Sequence, residues 1–289
     1  MVRSYLLWLA AVGLLTGSAS AQPAAVMLPR PGGVIAYEDW GGTGQLVIAA
    51  PGMGDVRAEY RLLAPRLRDA GYHVVVLDVR GFGQSSAQWD EYAAHAVGGD
   101  MLALADHLHA GRAVMLGTSF AAGAAIWAAH DAPDKVAGVV LISPVLRDQQ
   151  QSVVARAALW LAFAGPWRVK AWLSYWDSLF PLHKPADHAA IRAALGANMR
   201  ERGRMEALRA MVTLSKADTA AILRQTHVPA LLIMGTADPD FPDPPAEARY
   251  LSGALGSQVL LVEGAGHYPQ VELPDPVAAR VVAFLQALR

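Results

Sequence analysis

Along most of this chain, short runs of consecutive apolar residues alternate with longer stretches of mixed polar and apolar spacing. Val34-Ile35-Ala36-Tyr37-Glu38 and Leu46-Val47-Ile48-Ala49-Ala50 read as strands, and Gly41-Gly42-Thr43-Gly44 reads as the turn between them. A helical pattern covers 58–70 and ends at Gly71. His73-Val74-Val75-Val76-Leu77-Asp78 follows, a β-branched run suited to a buried parallel strand. Helix 93–110, strand 113–116, helix 121–130 and strand 136–142 continue the alternation. Strands separated by helices of this length predict right-handed βαβ units and a mostly parallel sheet flanked by helices, the α/β class. The alternation lapses after Pro144. Residues 145–225 carry helical patterns and no convincing strand, and they are rich in aromatics, among them Trp160, Trp172 and Trp176. It resumes with strands at 230–234 and 258–262 and a closing helix at 275–288. The expected organisation is an α/β core built from 22–144 and 226–289, with a helical cap inserted at 145–225.

The first 21 residues fall outside this pattern. Arg3, an apolar stretch over residues 5–15 and the small residues Ala19-Ser20-Ala21 read as a secretory signal peptide cleaved before Gln22, which implies a secreted or periplasmic protein. The apolar stretch is shorter than the roughly 20 residues that a spanning helix needs. Composition narrows the chemistry. The chain has no cysteine, which excludes disulfides, a thiol nucleophile and thiolate metal sites. Its formal net charge is −1 and its basic residues are dispersed, so nucleic acid is not an expected partner. His107 and His109 are two residues apart on a predicted helix and do not share a face, so no metal site is expected there.

The candidate chemistry centres on Ser119. An apolar strand stops at Gly117 and a small-residue helix begins just after the serine, so its hydroxyl is presented at a sharp strand-to-helix corner. A serine needs a base, and His267 follows a strand in the glycine-rich loop Glu263-Gly264-Ala265-Gly266-His267. Asp238 follows strand 230–234 by one short loop and is the expected partner of the imidazole. Asp240, Asp243 and Asp148 are alternatives for that role. The expected oxyanion donors are the backbone amides of Phe120, which opens the helix after the serine, and Met53 in Pro51-Gly52-Met53-Gly54-Asp55. Asp78 and Arg80 are expected to tie down their own loop, and Asp55 to cap the next helix.

Four collinear motifs then resemble one family over nearly all of the chain beyond residue 21. Pro51-Gly52-Met53 stands where α/β-hydrolase fold proteins commonly have His-Gly-X. Residues 78–85, Asp-Val-Arg-Gly-Phe-Gly-Gln-Ser, resemble the family's Asp-X-Arg-Gly-X-Gly-X-Ser loop. Gly117-Thr118-Ser119-Phe120-Ala121 resembles Gly-X-Ser-X-Gly with alanine at the last position, and Gly264-Ala265-Gly266-His267 resembles the histidine loop. The resemblance implies a metal-free and cofactor-free serine hydrolase that cleaves a small, fairly apolar carboxylic ester through Ser119, His267 and Asp238, with the insertion as the family's cap. Serine at 119 sets the chain apart from the family's haloalkane dehalogenases and epoxide hydrolases, which use an aspartate nucleophile. Carbon–carbon bond hydrolysis of a diketone-like substrate, a cofactor-free peroxidase-like side activity and a non-catalytic binding protein on the same scaffold are the alternatives. Trp160, Trp172 and Trp176 are candidates either for lining a substrate pocket or for plain core, and the segment around Trp160 for contact with a membrane surface. The sequence does not specify an oligomeric state.

Overall fold

The computed structural model describes residues 22–148 and 161–288. The segment read as a signal peptide and Trp160 lie outside the described residues. Eight strands form one sheet: β1 (Ala25–Arg30), β2 (Gly33–Asp39), β3 (Leu46–Ala50), β4 (His73–Leu77), β5 (Ala113–Thr118), β6 (Val136–Ile142), β7 (Ala230–Gly235) and β8 (Gln258–Val262). Their order is β1-β2-β4-β3-β5-β6-β7-β8. The β1/β2 and β2/β4 pairs are antiparallel and all others are parallel. The crossing helices are α1 (Leu63–Asp69), α2 (Ala94–His107) and α3 (Phe120–Asp131), and, beyond β7, α8 (Pro244–Leu255), α9 (Pro269–Glu272) and α10 (Pro274–Gln286).

The parallel strands are buried because both faces of the sheet are covered. In β4, Val75 and Leu77 belong to one core together with Met101 and Leu104 of α2, while Val74 and Val76 belong to a second core with Leu63 and Leu67 of α1 and Phe284 of α10. The two-residue period of a strand thus feeds two separate cores from one apolar run.

Three elements differ from the sequence reading. The helical stretch 58–70 is two pieces, a 3-10 turn at Arg57–Tyr60 and then α1. β1 has no counterpart in the pattern, because it is an outer strand with Val26 and Met27 exposed and shows no apolar alternation. The Pro-rich stretch after Asp238 leads into α8, which starts on Pro244, where a missing N–H costs nothing, and is capped by Asp243 Oδ1 accepting from Ala246 N at 2.8 Å.

Between β6 and β7 the elements among the described residues are helices, including α4 (Arg168–Ser178), α5 (His188–Met199), α6 (Arg204–Thr213) and α7 (Ala217–Ile222). The loop after β4 joins this layer to the sheet. Asp78 accepts from the amides of Arg57 (2.9 Å) and Gln84 (2.8 Å) and is ion-paired with the Arg57 guanidinium. Arg80 makes a bidentate pair with buried Asp100, at 2.8 Å on each oxygen. Arg204 of α6 donates to the carbonyls of Gly83 and Ser85, both at 2.6 Å. Asp78 and Arg80 are thus employed in holding a loop.

Candidate active site

Parallel strands place their carboxyl ends on one rim, and the loops leaving that rim carry the candidate residues. The corner after β5 is the tightest of these. Ser119 has φ 55° and ψ −118°, a positive-φ conformation that serine does not adopt without surrounding constraint. The constraint is visible. Ser119 N donates to Ile142 O at 2.8 Å, and α3 starts immediately at Phe120. Gly117 allows the approach, since a Cβ there would stand 2.1 Å from the Ala121 carbonyl oxygen. Ala121, in place of the family's second glycine, is accommodated: it is fully buried and the corner forms around it.

His267 and Asp238 meet. His267 Nδ1 lies 2.9 Å from Asp238 Oδ2 and 3.1 Å from Oδ1, with both side chains buried. His267 N also donates to Leu179 O at 3.0 Å, which fixes the loop from the side of the inserted helices. Of the alternative acids, Asp240 lies 3.6 Å from the same nitrogen and accepts the Tyr175 hydroxyl at 2.7 and 2.8 Å. Asp243 caps α8, and Asp148 accepts from Ser215 Oγ and Lys216 N, so neither is turned to the imidazole. Burial pulls the His267 pKa down, but the charges of Asp238 and Asp240, the Asp238 hydrogen bond and the more distant Glu59 carboxylate outweigh it and push the group up to about 9. Asp238, Asp240 and His267 also offer ligand atoms within 4.8 Å of one another, a spacing a cation would accept, but the Nδ1–Asp238 hydrogen bond already uses that arrangement.

The histidine loop reaches the serine corner through Gln270. Its Nε2 donates to Glu59 Oε1 at 2.8 Å and to Thr118 Oγ1, next to Ser119, at 3.3 Å. His267 spends Nδ1 on Asp238. Among the described residues no hydrogen bond joins Nε2 to Ser119 Oγ, a bond that often tightens only when substrate is bound.

The loop after β3 completes the site. Gly52 lies against the serine, as a Cβ on it would stand 3.4 Å from Ser119 Cβ. Asp55 N donates to Gly52 O at 3.2 Å and Gly54 has φ 73°, which makes Gly52–Asp55 a type II turn with Met53 at its second position. Among the described residues, the amides of Met53 and Phe120 donate to no protein acceptor. Asp55 does not cap a helix as expected: it is buried, accepts from Val56 N at 2.8 Å and takes the Trp176 indole N–H on Oδ2 at 2.9 Å. Burial raises its pKa. Trp172 Nε1 donates to Gly54 O at 3.0 Å. Both indoles are therefore attached to this loop. Trp176 also lines a cavity of about 10 Å³, room for a single water, with Asp55, Glu59, Phe180 and Tyr268.

Sequence reasoning missed Glu59, Gln270, Tyr175 and Thr118. Glu59 lies in a stretch that reads as an ordinary amphipathic helix, and its contact with Gln270 spans 211 residues, so no local signal marks either one.

Comparison with known proteins agrees with this architecture. The α/β-hydrolase fold family matches residues 45–274. Epoxide hydrolase A of Mycobacterium tuberculosis is 28% identical over 298 residues, covering 84% of this chain and 91% of the relative. 3-Oxoadipate enol-lactonase 2 of Acinetobacter baylyi is 25% identical over 226 residues, covering 74% and 79%. A thermophilic esterase from Thermogutta terrifontis, solved with malate bound, superposes with a TM-score of 0.73 at 23% identity, over 93% of this chain and 99% of that one, a likeness of fold. With its eight-stranded sheet, its strained serine corner and a family match over most of its length, the chain belongs to the α/β-hydrolase fold family and is a hydrolase of that fold.

Proposed function

We propose that this hydrolase cleaves a small, fairly apolar carboxylic ester by nucleophilic catalysis at Ser119, with His267 as base, Asp238 as its partner and the amides of Met53 and Phe120 as oxyanion donors. The observation that carries the reading is the combination of a serine forced to φ 55° at the head of α3 with a buried His267–Asp238 pair on the next loops of the same rim.

The chemistry follows from those groups. His267 Nε2 takes the Ser119 proton as Oγ attacks the ester carbonyl. Asp238 stabilises the imidazolium that forms and fixes the tautomer with its free nitrogen toward the serine. The charge that develops on the carbonyl oxygen meets two amides with no other protein acceptor, one of them at the N-terminus of α3, where the helix dipole adds to it. The imidazolium returns its proton to the departing alcohol and leaves an acyl-serine. A water deprotonated by the same histidine then releases the acid and restores Ser119.

The elbow residue separates this reading from the epoxide hydrolase relatives by name, since the corner carries serine rather than the aspartate nucleophile expected of that branch. Lactones, which are cyclic esters, fall within the proposed class, and two of the similar proteins are named enol-lactonases. We place the inserted helices as a cap over the rim, on the strength of the Trp172, Tyr175 and Trp176 hydrogen bonds from α4 to the loops beneath it.

A panel of p-nitrophenyl esters of graded acyl length, read against Ser119→Ala, tests the proposal. The wild type turns over the short or medium members, and Ser119→Ala loses at least about 10³-fold in kcat/KM. Equal turnover by the two proteins rejects the assignment.

A further inference from the structure

The mechanism just described gives no task to Glu59, a buried ionisable group. Glu59 is 3% exposed, and among the described residues it has no cation within ion-pair distance. A carboxyl in that position is costly unless its hydrogen bonds have a structural purpose. Those bonds are unusual in where they go. Glu59 Oε2 accepts from Gly52 N at 2.9 Å, in the loop that carries the Met53 amide. Glu59 Oε1 accepts from Gln270 Nε2 at 2.8 Å, three residues after His267. Gln270 reaches on to Thr118 Oγ1, and Thr118 Oγ1 lies 2.7 Å from the Tyr60 hydroxyl, which itself donates to Ala50 O at 3.0 Å. One carboxyl therefore stands between the loop after β3, the residue before the serine and the loop that carries the histidine. A second observation points the same way. Gln270 is fully buried, yet its Oε1 has no hydrogen-bond partner among the described residues, so the amide is held in its orientation by what its Nε2 bonds to.

We propose that Glu59 is a positioning residue for the reaction at Ser119: by clamping the Gly52 amide to the Gln270 amide it holds the oxyanion loop and the histidine loop at a fixed spacing on either side of the serine. The inference rests on the Ser119 reading above. It assigns Glu59 no proton transfer and no contact with substrate. Losing the clamp lets the Met53 amide and the His267 ring move independently. That movement weakens the transition state, in which both must be in place, more than it weakens substrate binding. A displacement of about 1 Å in such a site can cost on the order of 10²-fold in rate.

The test compares Glu59→Met, Glu59→Gln, Gln270→Met and Ser119→Ala with the wild type on the best ester of the panel, with circular dichroism and thermal melting as controls for folding. Glu59→Met leaves Gly52 N without an acceptor and lowers kcat about 10- to 100-fold, with KM within about threefold of wild type. Gln270→Met, which cuts the other half of the clamp, does the same. Glu59→Gln recovers most of kcat, because its Oε1 accepts from Gly52 N while its Nε2 donates to a Gln270 amide turned over to present Oε1. Should Glu59→Met not fold, Gln270→Met and Glu59→Gln carry the test between them. The proposal is overturned if the methionine variants turn over at the wild-type rate, or if Glu59→Gln is as impaired as Glu59→Met, which would give the carboxyl a role in charge or proton transfer. Those outcomes leave the nucleophile intact as long as Ser119→Ala is inactive. Activity retained in Ser119→Ala removes the reading of the site and this inference with it.

Discussion

At the scale of single residues, His267 has the most consequential chemistry. Burial acts against its charged form, but two carboxylates face its Nδ1, Asp238 at 2.9 Å and Asp240 at 3.6 Å, and their attraction holds the imidazolium up to about 9. A base must be neutral to accept a proton, so the proposed mechanism works better as pH rises through that value. We predict that kcat/KM climbs with unit slope from about pH 6 toward pH 9, and that Asp240→Asn, which removes one of the two charges, moves the rise to lower pH. A stopped or steady-state pH profile that is already flat at pH 6, or one that Asp240→Asn leaves in place, contradicts this account of the histidine. Ser119, Asp238 and His267 were legible in the sequence for a shared reason. Each lies in the segment that leaves the carboxyl end of a strand, Ser119 two residues past Gly117, Asp238 three past Gly235 and His267 one past Gly266, so strand position alone puts them on one rim. Tyr175 and Glu59 were not legible, because what gives them meaning is a partner far away in the chain: Asp240, 65 residues on, and Gln270, 211 residues on.

At the scale of elements, α4 stands out. Trp172, Tyr175 and Trp176 are spaced i, i+3 and i+4, which puts them on one helix face. All three donate hydrogen bonds to core loops: Trp172 to Gly54 O, Tyr175 to Asp240 and Trp176 to Asp55. The turn at Gly54 is shaped for this contact, since a Cβ on Gly54 would stand 2.3 Å from the Trp172 ring. We predict that Trp172→Phe leaves the Gly54 carbonyl buried without its donor and lowers the unfolding free energy by about 1–3 kcal/mol, measured by urea denaturation. A variant as stable as the wild type shows that the indole N–H is not what fastens the helix to the loop. The aromatic richness of the insertion was plain in the sequence, but its use was not, because an indole in a pocket wall and an indole bonded to a loop carbonyl have the same local pattern. Strands were easier to read than helices. β3, β5, β6 and β7 are fully buried apolar runs, which a sequence displays openly. Outer strand β1 has no such run, and the 3-10 turn at Arg57–Tyr60 hides inside what looks like one amphipathic helix.

At the scale of the molecule, the sheet order explains why a distant serine, aspartate and histidine share one place. Strands β5, β7 and β8 run parallel, so the residues that leave their carboxyl ends emerge on the same side, with the loop after β3 beside the one after β5. Right-handed crossovers of alternating strands and helices predict that convergence from the sequence, whereas the packing of the inserted helices onto the rim depends on side-chain pairings that no periodicity encodes. The central claim is that this rim makes Ser119, rather than any other hydroxyl of the chain, a nucleophile. Treating the folded protein with a fluorophosphonate and mapping the adduct by peptide mass spectrometry measures that claim directly. The account predicts one phosphonylated residue, Ser119, with labelling slowed at least about 10²-fold in His267→Ala. An adduct on another residue, or labelling of Ser119 at an unchanged rate without the histidine, would contradict it.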